Sequence, residues 1–436
     1  MKIFGLVQVV LNLGHNLAPK TPFFYGWAVL AAAGSSQFSR NAAASLTLAI
    51  FMFPMSQDLG WSRTLIAGAA SVGGLASSAA SPVVGWLVDR YGARVVLLVS
   101  VVVLGVSIIS LAWTTSPLTF FIAYGTARVL FSSSIPIGGT VVVSRWFVKR
   151  RGRAIGFLFA AHSAGMTLFP LVAFLIIRYR NWEDAWIVLG VMVWVVAVVP
   201  VGVLIVQTPE DVGLRPDGDS STDTVNRADV SATPQGDGTW TIRGAVQTRA
   251  LWLLAVAGGL IFVVQAGTNI HIGAYFQDQQ LSSTIAAAAI VFSAVFVGVG
   301  SLAWGWLVER YNIRYIFGSV ALVLALASAT MVMVNSTTEA FVSAGLFGIA
   351  VGGMLVVPPV AAATYFGRRS LGAIRGITES FVSLGQAIGA VFSGVVYEVT
   401  GSYSAAFVCF FILGILTVFL ILFIKPPNQS VSVSTT

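Results

Sequence analysis

The 436-residue chain is 57% hydrophobic and only 9% charged, with a mean hydropathy of +0.88. An ordinary soluble domain is roughly 25% charged, so this composition excludes a water-soluble globule and makes lipid the solvent for most of the chain. The net charge of +8 is no nucleic-acid signature, because the basic residues punctuate apolar runs instead of clustering with aromatics.

The chain opens on MKIFGLVQVVLNLGHNLAPK, where Lys2 precedes an apolar run of about eleven residues. That run is short of the roughly 20 residues a span needs, and no small-x-small cleavage site follows, so residues 1–24 read as a cytoplasmic or interfacial segment. Apolar runs of spanning length then follow at 25–52, 63–87, 94–114, 118–144, 152–177 and 184–206, and again at 249–275, 284–308, 314–334, 339–364, 372–397 and 402–424. Between the two sets lies 207–248, rich in Asp, Gly, Ser, Thr and Pro, which reads as a disordered cytoplasmic linker. Its end, TWTIRGAVQTRALW, is compatible with a short amphipathic helix. The predicted domains are therefore a bundle over 1–206, a linker over 207–248 and a second bundle over 249–436.

Of the 24 basic residues, Arg63, Arg178 and Arg180 fall on one side of the bilayer and Arg40 and Arg128 fall inside spans. All the others, Arg375 included, share the opposite side, which the positive-inside rule makes cytoplasmic together with both termini.

The stretch GWLVDRYGARVV (85–96) recurs 220 residues later as GWLVERYNIRYI (305–316), with seven of twelve positions identical and Asp89 matched by Glu309. The same offset matches Ser81 to Ser301, Gly156 to Gly376, Ser163 to Ser383 and Gly165 to Gly385. Matched charges at one fixed offset mean duplicated six-helix units in the same orientation, related by an axis along the membrane normal.

GWLVDRYGARVVLL resembles the loop signature of the major facilitator superfamily, Gly-x-Leu-x-Asp-Arg-x-Gly-x-Arg, at Gly85, Leu87, Asp89, Arg90, Gly92 and Arg94. The second copy departs from it at Asn312. A narrower resemblance, to the bacterial monocarboxylate and oxalate/formate branch, rests on FFYGWAVL, DLGWSR, SRWFVKRRGRAIG, PEDVGLRPDGD, AYFQDQQLS and YFGRRSLGAIRG. The resemblance implies an all-α integral membrane protein of twelve transmembrane helices in two pseudo-symmetric six-helix bundles, with the cavity lined by helices 1, 4, 7 and 10. It also implies small carboxylates as cargo. Carriers of that branch commonly place an Arg in helix 8, and the eighth span here has none.

In the loop phrase, Gly85 and Gly92 are expected to bracket the turn, with Gly92 free to adopt a left-handed conformation. Asp89 can meet the positive N-terminal end of another helix, and the resemblance implies that this is the eleventh helix, of the opposite bundle, which starts just after Arg368 and Arg369. The mirror contact joins Glu309 to the start of the fifth helix. Such contacts would hold the bundles together on the cytoplasmic side and break when that side opens. Arg90, Arg94, Arg310 and Arg314 suit either this gate or phospholipid headgroups.

Ionisable groups at bilayer depth normally face a cavity or a partner. Arg40 lies thirteen residues past Trp27, about 20 Å along the first span, where it either lines a cavity or snorkels outward. Arg128, midway along the fourth span, is too deep to snorkel and resembles the superfamily's helix 4 Arg. Glu379 is the acid inside a span and is a candidate proton carrier or simply a partner of Arg375. Gln265 and Asn269 share a helix face and offer donors and acceptors to a polar ligand. His271 is a further candidate, as a group that titrates near neutrality, while His162 reads as a packing residue. Pro358 and Pro359 are expected to end or kink the tenth helix.

One cysteine and three histidines supply neither a disulfide framework nor a metal cluster, and P-loop, HExxH and Ser/His/Asp patterns are missing. The expectation is a non-enzymatic, cofactor-free secondary active transporter in the cell (inner) membrane. It would move a small organic anion, a monocarboxylate by preference, by alternating access, with a proton or counter-anion as coupling species, and work as a monomer. Two alternatives stay open: an exporter of an apolar or neutral compound, and a transporter-like sensor without turnover.

Overall fold

Where water is absent, an apolar run must satisfy its backbone hydrogen bonds within itself, and helix is the outcome. The computed structural model describes residues 14–218 and 240–427, and these form twelve helices long and apolar enough to cross a membrane. They are α1 (Gly26–Leu59), α2 (Arg63–Tyr91), α3 (Ala93–Trp113), α4 (Pro117–Trp146), α5 (Arg151–Tyr179), α6 (Trp182–Leu204), α7 (Arg249–Asp278), α8 (Ser283–Leu307), α9 (Ile313–Val332), α10 (Thr337–Phe366), α11 (Leu371–Thr400) and α12 (Ser404–Leu422). No strand occurs among the described residues. Hydroxyl side chains start many of these helices: Ser62, Ser116, Thr248, Ser282 and Ser336 each accept a first-turn N–H.

Two helices depart from the sequence expectation. α1 is broken into Gly26–Ser39 and Ser45–Leu59 by a 3-10 turn over Arg40–Ala43. α10, by contrast, runs unbroken through Pro358 and Pro359.

The ends that carry the 2–3, 4–5, 8–9 and 10–11 connections form one face, called here the basic end. The bundles meet along two seams, α2 against α11 and α5 against α8. Both are seams of glycine and serine, as close helix approach requires. A Cβ on Gly85 would collide with the Gly372 carbonyl, and one on Gly152 with the Gly305 carbonyl. The two contacts are related by the same offset of 220. Deeper along the first seam, Ser78 and Ser380 donate to each other's carbonyl oxygens at 2.8 and 2.7 Å. In the second, Ser163 donates to the Ala294 carbonyl at 2.5 Å.

Gly92 has φ +91 and closes the turn, as expected, but Gly85 lies within α2. Its role is close approach to α11, not turn formation.

Of the linker predicted over 207–248, residues 219–239 lie outside the described residues. The flanking stretch 208–218 packs on the basic end. Asp217, itself at φ 58, accepts from three successive amides, Val148, Lys149 and Arg150, at 2.8 to 3.1 Å. A carboxylate suits such a concave row of N–H groups at a helix start. Glu210 pairs with Arg368 of the second bundle at 3.1 Å. The short helix expected at the linker's end is Ile242–Val246.

Candidate functional site: a cationic cavity between the bundles

A cavity of about 210 Å³ lies between the bundles, with walls from α1, α2, α4, α5, α7, α10 and α11. The expected wall of helices 1, 4, 7 and 10 is therefore incomplete, because α2, α5 and α11 also contribute lining residues.

Arg40 and Arg128 both line the cavity and are 5% and 8% exposed. Arg40 thus faces the cavity and not the headgroups. The local backbone explains the convergence. Residues Leu130–Ser134 form a π-bulge in which the Ile135 N–H bonds to the Leu130 carbonyl, one residue further back than in an α-helix. The Phe131 carbonyl is left available and accepts from Arg40 Nη1 at 2.7 Å. Both guanidinium groups lie over the Phe131 ring, with its centroid 4.7 Å from Arg40 Cζ and 4.6 Å from Arg128 Cζ. Each cation gains from the ring's negative face, but a ring cannot neutralise them. Arg128 Nη1 reaches only the Ala43 carbonyl, at 3.4 Å. The Nε atoms of both arginines and the Ser132 hydroxyl are buried without hydrogen-bond partners, and such groups are costly unless something completes them.

The opposite wall carries the one acid among the residues lining the cavity, Glu379, bonded to Arg375 Nη2 at 2.6 Å. Arg375 was assigned to the basic face by sequence. It lies one turn inside α11 and is 4% exposed. Three guanidinium groups therefore share the cavity with one carboxylate. Gln265 and Asn269 line it too, as do Asn41, His162 and Gln386. His162 lies against Asn41, with Nδ1 3.0 Å from Nδ2.

His271 is not brought to the cavity. Its Nδ1 lies 3.1 Å from the Tyr403 hydroxyl and its Nε2 3.3 Å from the Ala390 carbonyl, against α12 and α11. As a substrate ligand it is corrected to a helix-packing residue, because it sits on the face of α7 turned toward its own bundle.

At the basic end, Asp89 accepts from the amides of Gly372 and Ala373 at 2.9 and 2.7 Å and from Arg145 Nη2 at 3.3 Å. Glu309 accepts from the Arg153 amide at 2.8 Å and from Arg153 Nε at 2.6 Å. Each carboxylate thus caps a helix of the other bundle. The pair is unequal: Arg145 is buried beside Asp89, whereas the Arg153 side chain is 48% exposed, so solvent screens the second contact more. By sequence Arg145 counts only among the basic residues of the cytoplasmic side, and its contact with Asp89 is not anticipated.

The four loop arginines do not join these contacts between bundles. Arg94 turns into its own bundle and donates to the Gly202 carbonyl. Arg310 stacks on Trp306 at 3.9 Å, Arg314 donates to the Tyr315 hydroxyl at 3.0 Å, and Arg90 is exposed.

Asp89→Asn is expected to weaken closure of the basic end by about 1 kcal/mol, a factor of roughly five between open and closed forms. A cysteine at Ser380 should then react faster with an impermeant maleimide supplied from that side. An unchanged rate would refute it.

The family described as Major Facilitator Superfamily matches residues 29–337 and 277–436. Monocarboxylate transporter 11 of Mus musculus is 26% identical over 402 residues, covering 88% of this chain and 83% of that protein. The hexose-6-phosphate:phosphate antiporter of Escherichia coli (strain K12) is 27% identical over 241 residues, covering 52% of this chain and 46% of its own. Among solved structures, the human organic anion transporter MFSD10 (TETRAN) superposes with a TM-score of 0.70 at 16% identity, covering 91% of this chain and 99% of that one.

Proposed function

The chain belongs to the Major Facilitator Superfamily, and from that premise we propose that it is a secondary active transporter of a small organic anion, a monocarboxylate by preference. The observation that carries this reading is the pair Arg40 and Arg128. Both are buried, both face the cavity, and neither has an acidic hydrogen-bond partner. A carboxylate has the charge and the acceptor lone pairs that the two guanidinium groups lack in a partner. The similarity to the mouse monocarboxylate transporter agrees in class with this assignment.

Transport proceeds by alternating access, the bundles rocking about the cavity. The basic end is the cytoplasmic end, and the seams there are closed, so the cavity belongs to the form that loads from outside. Asp89 and Glu309 act as latches whose release opens the inner side. Glu379 is the proton carrier: its protonation frees Arg375 as a third counter-charge, so proton and anion bind cooperatively. The carrier works as a monomer in the cell (inner) membrane.

Uptake of labelled lactate, pyruvate, formate, oxalate and a neutral sugar into proteoliposomes, with and without a pH gradient, tests the reading. Monocarboxylate uptake that rises with an inward proton gradient is expected. Uptake of the sugar alone, or of no compound, would overturn it.

A further inference from the structure

His162 reads by sequence as a packing residue, yet it lines the cavity together with Arg40, Arg128 and Glu379. Its ring is held by Asn41, in the turn that breaks α1. Asn41 Nδ2 lies 3.2 Å from the Gln37 carbonyl oxygen, 3.1 Å from those of Phe38 and His162, and 3.0 Å from His162 Nδ1. Three carbonyl oxygens accept from an NH2 group and repel an amide oxygen, which fixes the orientation of the Asn41 amide. His162 Nδ1 must then be an acceptor, because a proton on it would set two N–H groups against each other at 3.0 Å. The imidazole is therefore neutral, with its one proton on Nε2. The Gln37 carbonyl is also close to the ring and accepts from Asn41. The approach of α5 to α1 that makes this contact needs Gly165, where a Cβ would collide with the Phe38 carbonyl and stand 2.5 Å from Asn41 Nδ2.

We infer that His162 is a further binding residue whose Nε2–H donates to an oxygen of the bound anion, with Asn41 as the residue that positions it. The inference rests on the anion reading above and adds to it a donor that carries no charge. Arg40, Arg128 and Arg375 already set three cations against the one carboxylate of Glu379, and the lining residues of α7 and α10 are uncharged. An imidazolium would be a fourth buried cation, at the desolvation cost such a group carries. Held neutral, the ring offers a hydrogen bond strengthened by the ligand's charge and adds no charge of its own.

Two measurements on the full chain test it. Nitrogen NMR of the protein in lipid bilayers, with its three histidines isotope-labelled, distinguishes the ring tautomers, and the signals lost in His162→Gln are those of His162. They should be those of a neutral ring protonated on Nε2, and the Nε2 signal should move when propionate is added. In proteoliposomes, His162→Phe keeps an aromatic ring without a donor and should raise KM for propionate about ten-fold, the usual worth of a hydrogen bond to a charged group. His162→Gln restores an N–H and should recover part of that loss, whereas a packing role predicts the reverse order. A ring protonated on Nδ1 or on both nitrogens, an Nε2 signal unmoved by propionate, a wild-type KM in His162→Phe, or a lower KM in His162→Phe than in His162→Gln would overturn the role of His162 and leave the anion reading standing. If wild type neither binds nor moves propionate, the anion reading falls and the role of His162 with it.

Discussion

Arg128→Gln is expected to lower monocarboxylate transport by two to three orders of magnitude, while the unliganded protein melts no lower than wild type. The first effect follows from removing one partner of a buried, hydrogen-bonded charge contact, which costs about 2–5 kcal/mol. The second follows from the resting arrangement, in which Arg40 and Arg128 both lie over one phenyl ring and have no acid bonded to either. Removing one of two buried like charges relieves a desolvation cost that the ring and one long carbonyl contact offset only in part. Glutamine also keeps the Cβ and Cγ that pack against Gly73. A purely structural arginine would show the reverse pattern, with lost stability and a proportionate loss of transport. Uptake rates and thermal midpoints of the purified variant, measured with and without substrate, separate the two.

Gly372→Val is expected to force the basic end open. A Cβ there would stand 2.5 Å from the Gly85 carbonyl oxygen and 2.7 Å from Asp89 Oδ1. Backbone cannot retreat cheaply, so the closed form loses about 1–3 kcal/mol, the usual cost of overpacking. That is a factor of roughly five to 150 in the ratio of closed to open forms. Spin labels at the exposed positions Arg90 and Arg369, with Cys409 replaced by Ala, report the separation of the bundles. The distance distribution should move to longer values, and the mirror variant Gly152→Val should do the same. A distribution that matches wild type in both would remove the seam from the account.

Much of the architecture was legible because it is written twice. The offset of 220 that pairs GWLVDRYGARVV with GWLVERYNIRYI also relates Gly85–Gly372 to Gly305–Gly152 in space. That Asp89 suits a positive helix terminus was legible from its charge, but which helix it caps came from the resemblance to the superfamily. What sequence could not supply is rotation about a helix axis. Arg375 lies one turn from loop arginines and was counted with them, but α11 turns it into the cavity beside Glu379. His271 shares α7 with Asn269, yet it faces Tyr403 while Asn269 faces the cavity.

The break in α1 was also hidden. RNAAAS carries no Pro or Gly to announce it, and the stretch Arg40–Ala43 is set by tertiary contacts, among them Arg40 with Phe131 and Tyr124 with the Ala43 carbonyl. The π-bulge that presents Phe131 is equally silent in sequence. Arg40 and Arg128 could each be suspected alone, but their meeting could not.

The claim on which the rest depends is that the cavity binds its ligand by charge. Titration calorimetry of the purified protein with propionate and with propionamide, its neutral counterpart of nearly the same shape, tests it most directly. Propionate should bind to wild type and lose its measurable affinity in Arg128→Gln, and propionamide should bind to neither. Equal binding of the acid and the amide by wild type would contradict the account.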